Sequence, residues 1–216
     1  MCQIEIEDRV DSIMYELDKY VYSRAGFGYI EKDYVMKDRP MHGISQVRDE
    51  IKEFVEVILR NDKLSSALEI GLGEFGGTFR LWKMIFDRVV SIEMDINFYI
   101  VNEKENCGGK GRIIIGNSQE KGIIRSLYRR FKSGVDLLFI DGGHDYNSVL
   151  QDYMNYKGLL REGSIVAFHD SETRIGNYGV YDVLSGIEKG LYGEREREIK
   201  HIRYSENVGM AYIIWS

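Results

Sequence analysis

Cysteine, proline, long apolar runs and excess positive charge are all scarce in this 216-residue chain, and each scarcity removes a class of protein. The two cysteines, Cys2 and Cys107, stand far apart with no second pair beside them. Neither a disulfide framework nor a cysteine-based zinc cluster is therefore expected, and a reducing cytoplasm is the natural setting. One proline, Pro40, is incompatible with collagen-like repetition. No apolar run approaches the length of a membrane span, and the acidic start Cys2-Gln3-Ile4-Glu5-Ile6-Glu7-Asp8 is unlike a secretory signal. Lys and Arg number 29 against 35 Asp and Glu, a net charge of −6. A nucleic-acid partner needs a basic face and is disfavoured. The cluster Arg125, Arg129, Arg130 and Lys132 reads as a solvated helix end, and Glu194-Arg195-Glu196-Arg197-Glu198 as solvated surface.

What is present is an ordinary globular composition, 44% hydrophobic and 30% charged, enough for one large α/β core. The most informative stretch is Ala67-Leu68-Glu69-Ile70-Gly71-Leu72-Gly73-Glu74-Phe75-Gly76-Gly77, followed by Ser91-Ile92-Glu93-Met94-Asp95. A short apolar strand runs into a glycine turn that opens a helix, whose first free N–H groups can face an anionic or polar ligand. Side chains at Gly71 or Gly73 would block the tight turn and a cofactor's approach. The acid at the end of the next strand, Glu93, can accept hydrogen bonds from two ribose hydroxyls, with Asp95 the weaker candidate. This pattern fits dinucleotides as well as other adenosine cofactors. Glu69, an acid inside the first strand where a dinucleotide site keeps an apolar residue, favours a ligand carrying positive charge. S-adenosylmethionine has an ammonium and a sulfonium, and Glu69 with Gly71 and Gly73 would hold its methionine end. Asn117 or Ser118, after the third strand, would meet the adenine edge.

Along the chain, Val10, Ile13, Met14, Leu17 and Val21 at helical spacing predict an amphipathic helix from Ile4 to about Val21. The aromatic, glycine-bearing segment from Tyr22 to Gly43 reads as a loop or lid. Ser45 is expected to cap a helix running to about Arg60. Residues 1–60 form an N-terminal helical extension in this reading, and 61–216 the main domain. Strands are expected at Ala67 to Gly71, Arg88 to Glu93, Arg112 to Ile115, Val135 to Asp141 and Ser164 to His169, the last two apolar enough to be central and buried on both faces. Helices are expected after the glycine turn, around Leu81 to Phe86, and from Tyr178 to Lys189. The candidates Glu198 to Tyr204 and Val208 to Trp215 are separated by so short a link that an antiparallel pair is expected.

Ligands in open α/β sheets sit beyond the carboxyl ends of the strands. Two such ends are polar in the same way: Asp141-Gly142-Gly143-His144-Asp145-Tyr146 and His169-Asp170-Ser171-Glu172. If their strands are neighbours, Asp141, His169 and Asp170 converge on one divalent cation, with His144 beside it. His42 and His201 belong to no motif.

Leu68-Glu69-Ile70-Gly71 with Gly76-Gly77-Thr78, Phe139-Ile140-Asp141-Gly142-Gly143-His144-Asp145-Tyr146, and Gly163-Ser164-Ile165-Val166-Ala167-Phe168-His169-Asp170 together resemble the class I O-methyltransferases dependent on S-adenosylmethionine, in the group of cephalosporin-hydroxylase-like and macrolide-sugar methyltransferases. The resemblance covers roughly residues 45–190. It implies a Rossmann-like, doubly wound seven-stranded sheet of order 3-2-1-4-5-7-6. It also implies S-adenosyl-L-methionine and a divalent metal, magnesium or manganese, as cofactors. Carried over by position, Asp141, His169 and Asp170 would be the metal ligands and His144 the base. The departure is His169, where those relatives have a carboxylate. An imidazole suits manganese or another borderline ion better than magnesium, or leaves His169 out of the shell.

The chemistry expected is methyl transfer to a hydroxyl of a small molecule, a sugar or glycosylated natural product. A dication stabilises the alkoxide, and His144, with an ordinary pKa near ~6.5, takes the proton. The alternative is an NAD(P)-dependent oxidoreductase using the same turn and Glu93, which leaves Glu69, Asp141 and the His169-Asp170 pair without a job. A third reading, a non-haem iron oxygenase built on His144, His169 and one aspartate, makes the cofactor turn redundant. An aromatic N-terminal extension also suits packing against a second copy of the chain.

Overall fold

In a computed structural model of the chain, residues 3–21, 46–73, 76–95, 109–174, 176–193, 195–204 and 208–216 are described. The expected lid from Tyr22 to Gly43 and the capping Ser45 lie outside them. The chain opens with two helices, α1 (Gln3–Tyr20) and α2 (Arg48–Arg60). Strands and helices then alternate: β1 (Ser66–Ile70), α3 (Gly77–Ile85), β2 (Arg88–Glu93), β3 (Gly111–Ile115), α4 (Lys121–Arg130), β4 (Val135–Ile140), α5 (Tyr146–Tyr156), β5 (Leu160–His169), α6 (Val180–Glu188), β6 (Lys200–Ile202) and β7 (Met210–Ile214).

The strands form one seven-stranded sheet of order β3-β2-β1-β4-β5-β7-β6. The first five run parallel, whereas β7 pairs antiparallel with both β5 and β6. This is the expected order, and the antiparallel end disfavours the dehydrogenase alternative. The central strands β1 and β4 are buried at every position, as their apolar text requires.

Helices cover both faces. On one, Met14 and Leu17 of α1, Phe54 and Ile58 of α2, and Phe79 and Trp82 of α3 pack with Ala67, Leu137, Phe139 and Ala167. On the other, Leu127 of α4, Tyr153 of α5 and Val183 and Ile187 of α6 pack with Leu68, Leu138, Val166 and Phe168. Alternation along each strand decides which face a residue serves. The N-terminal helices thus share a core with the sheet. Helix α2 begins at Arg48 after Val47, with no side-chain cap, later than the expected start at Ser45.

Helix α5 is absent from the sequence reading. Its signal is Asp145, whose Oδ1 accepts from the backbone N–H groups of Asn147 and Ser148 at 3.1 Å each, ahead of the buried Val149, Tyr153 and Tyr156.

Candidate active site

Register sets the site. Ile70 lies opposite both Ile92 and Ile140, and Ile140 opposite Phe168, so β2, β1, β4 and β5 end nearly level. Gly71, Glu93, Asp141 and His169 therefore stand along one edge of the sheet. The backbone stitches that edge together, with Gly71 N–H donating to Ile92 O at 2.9 Å and Asp141 N–H to Ile70 O at 2.8 Å.

Gly71 has φ +88°, and a Cβ there would lie 2.0 Å from the carbonyl oxygen of Asp141. Both conformation and space demand glycine, so the turn after β1 and the strand end carrying Asp141 pass against each other. Glu93 reaches across the same turn: its Oε2 accepts from Leu72 N–H at 2.9 Å, and its Oε1 from Met94 N–H at 2.8 Å. The expected ribose acceptor is thus pinned by the backbone it serves, with lone pairs to spare on each oxygen.

Asp141, His144 and Asp170 each bring a possible ligand atom within 4.8 Å of the others. His144 Nε2 lies 3.0 Å from Asp170 Oδ2 and 3.7 Å from Asp141 Oδ1. His169 sits beneath, buried, with Nδ1 at 3.0 Å from Asp141 Oδ1 and 3.4 Å from Asp170 Oδ2. Its Nε2 is buried without a partner among the described residues. The four residues named from the sequence do meet, but the imidazole grouped with the two carboxylates is the partly exposed one of His144. Asp170 holds φ +56°, uncommon outside glycine and tolerated by aspartate. That twist turns its carboxylate back towards the end of β4.

Charge follows geometry. Burial opposes a charged imidazole at His144, but hydrogen bonds and attraction from Asp141 and Asp170 outweigh it and push the pKa up to about 9. At His169 burial is again outweighed by the same two carboxylates, which raise it well above its ordinary value. Burial pulls Asp141 and Asp170 upward, yet His169 and His144 hold both below the usual carboxylate range. The two imidazoles and the two carboxylates thus favour one another's charged forms. The ring of Tyr178 stacks on His144 at 4.9 Å between centroids, and Gly179 N–H donates to His144 O at 2.8 Å. These contacts close the segment after β5 over the segment after β4.

The remaining candidates are placed differently. Glu69 is fully buried on the α3 face, where Trp82 Nε1–H donates to its Oε1 at 3.0 Å. Burial pushes its pKa up to about 8, with the Ser91, Thr78 and Trp82 side chains pulling it back. It sits at the root of the glycine turn and presents no surface to the mouth. Asn117 and Ser118 organise their own loop: Asn117 Oδ1 accepts from Gln119 N–H at 2.9 Å, and Ser118 Oγ–H donates to Asp152 Oδ1 at 2.6 Å. His201, assigned no role from the sequence, pairs with Glu172 Oε1 at 3.1 Å. Gln46 was missed altogether, although its Nε2–H donates to Asp141 Oδ2 at 2.7 Å.

The sheet order, with a glycine turn and acids at the strand ends, is that of the Rossmann-like methyltransferase fold. The family described as Methyltransferase domain, Methyltransf_24, matches residues 68–171, which hold β1 through β5 and both polar strand ends. Among solved structures, MycE from the mycinamycin biosynthetic pathway, in complex with Mg, S-adenosylhomocysteine (SAH) and mycinamycin VI, is similar at 18% identity and TM-score 0.60, over 92% of this chain and 53% of MycE. The O-methyltransferase TomG of Streptomyces achromogenes, involved in tomaymycin synthesis, is similar at 13% identity and TM-score 0.60, over 95% of this chain and 91% of TomG. An uncharacterised protein of Sinorhizobium fredii is 36% identical over 78 residues, 32% of this chain and 9% of that protein. The chain therefore spans about half the length of MycE and a small part of its curated relative. Among the described residues, no helix is long and apolar enough to cross a membrane.

Proposed function

We propose that this chain transfers the methyl group of S-adenosylmethionine to a hydroxyl of a small molecule, with a divalent cation at Asp141 and Asp170. The observation that carries the reading is the meeting of both carboxylates with His144, on the strand end whose backbone packs against Gly71. Gly71 and Gly73 with Glu93 would form the cradle for the donor; a Cβ at Gly71 would strike the Asp141 backbone and displace the turn. Leu72 N–H, held by Glu93, fixes the turn's shape before any ligand arrives.

The donor set also suits a metal: the Asp141 and Asp170 carboxylates would supply oxygens to a manganese or magnesium ion that keeps several waters, with His144 beside it as the base and the His169 imidazole below. Such an ion, when bound, stabilises negative charge developing on a hydroxyl oxygen. His144 Nε2 faces the same carboxylates, so whatever neutralises that pair frees this nitrogen to accept the hydroxyl proton. General-base help of this kind contributes roughly 10²–10⁴-fold. Tyr178 holds the imidazole plane and offers an aromatic wall to an acceptor. A sugar hydroxyl is the favoured acceptor, since aromatic walls pack well on sugar C–H faces and MycE is described in complex with mycinamycin VI.

The test is a titration of the intact protein with SAH, NAD and Mn²⁺, followed by isotopic methyl transfer to a panel of hydroxylated sugars. SAH binding without NAD binding is expected, together with Mn²⁺ uptake that Asp170→Asn weakens at least tenfold. NAD binding in place of SAH would overturn the donor, and Mn²⁺ uptake indifferent to Asp170→Asn would overturn the metal centre.

A further inference from the structure

The contact between Gln46 and Asp141 joins the N-terminal extension to the candidate cation site. Gln46 lies outside the matched domain, just before α2, and is 1% exposed. Its Nε2–H donates to Asp141 Oδ2 at 2.7 Å, while its own Oε1 is buried and has no partner among the described residues. Leaving a buried acceptor unpaired is costly. Reversing the amide would set its oxygen against a carboxylate oxygen, so Asp141 dictates the orientation.

The backbone around Gln46 is anchored from two sides. Val47 packs against Val208, whose carbonyl accepts from Glu172 N–H at 2.8 Å, two residues beyond Asp170. Arg48 forks onto Asp18 of α1, with Nη2 to Oδ2 at 2.7 Å and Nε to Oδ1 at 3.1 Å. The segment 46–48 is thus a strut between α1, the loop after β5 and the tip of β4.

We propose that Gln46 is a positioning residue of the cation site, fixing Asp141 through Oδ2 so that Oδ1, steadied by His169 Nδ1 at 3.0 Å, keeps its remaining lone pair for the ion. This rests on the metal reading above. Partners that orient a metal's ligands typically change affinity 10–100-fold when removed. A carboxylate free to swing would also lose its alignment with Asp170.

The experiment is calorimetric titration of Mn²⁺, and separately of SAH, into the full chain as wild type, Gln46→Ala and Gln46→Met. The methionine variant keeps length and packing while removing both polar ends. Expected is a rise of at least tenfold in the Mn²⁺ Kd for both variants with the SAH Kd unchanged within twofold. Wild-type binding of Mn²⁺ with unaltered affinity in the variants sinks the role of Gln46 and leaves the metal reading standing. Parallel weakening of Mn²⁺ and SAH would show a general loosening and also overturn the positioning role. Absence of Mn²⁺ binding in wild type overturns both readings at once.

Discussion

Glu69 is the residue where environment most clearly overrides ordinary chemistry. Fully buried and bonded to Trp82, its carboxyl is pushed from 4.5 to about 8, so the folded protein holds a proton there that the unfolded chain gives up. The sign follows from linkage: a carboxyl whose pKa is raised by folding contributes fully below about pH 4.5, and that contribution is lost as pH rises through about 8. At roughly 1.4 kcal/mol per unit, the swing is on the order of a few kcal/mol. Glu69→Gln keeps the acceptor for Trp82 Nε1–H and cannot ionise. The stability difference between variant and wild type, from urea unfolding at pH 5 and pH 8.5, should move in the variant's favour by about 2–4 kcal/mol at the higher pH. A pH-independent difference would mean that Glu69 titrates near its ordinary value. An ammonium group held at the turn would act oppositely and draw the proton off Glu69, so SAH should flatten the wild-type profile.

At the scale of elements, the turn after β1 and the end of β4 act as one object. Gly71→Ala must move Asp141 as well as the turn, because the new methyl group would strike the Asp141 carbonyl and the Gly142 Cα. SAH binding should therefore fall at least a hundredfold, and Mn²⁺ binding should fall with it, whereas Gly73→Ala, with open space around it, should leave Mn²⁺ binding intact. Calorimetry on the two variants separates these outcomes, and unaltered Mn²⁺ binding in Gly71→Ala would break the link between turn and strand end. This coupling also explains what could be read beforehand. Strands β4 and β5 announce themselves by continuous apolar text ending in acid, so Asp141, His144, His169 and Asp170 were legible together. Their division of labour was not. Face alternation puts His169 below the sheet edge, and the positive φ of Asp170 swings its carboxylate up to His144. Neither follows from spacing. Gln46 was invisible because its contact spans 95 positions of sequence. Helix α5 is hard to read for a different reason: its cap, Asp145, falls inside the polar strand end Asp141 to Tyr146, and its apolar positions Val149, Tyr153 and Tyr156 are few.

At the scale of the molecule, the N-terminal helices are part of the machine that holds the site. Leu17 of α1 and Phe54 of α2 are buried in the cluster that contains Ala67, Phe139 and Ala167, and Phe54 meets Trp82 edge-on at 6.1 Å. A core shared in this way should melt as one unit, because the sheet face left by α1 and α2 would expose Phe139 and Trp82 to water. Fluorescence from Trp82, read in a Trp215→Phe background because the chain has two tryptophans, and far-ultraviolet dichroism should accordingly trace a single, coincident unfolding transition. Leu17→Ala, a buried large-to-small change, should lower global stability by about 2–5 kcal/mol and keep the two probes coincident. An early helical transition that leaves Trp82 buried would instead make the extension a separate unit. If the transition stays single, the same substitution should weaken Mn²⁺ binding less than Gln46→Ala does. Both helices press on the sheet, but the described contact from the extension to the acid at the tip of β4 runs through Gln46.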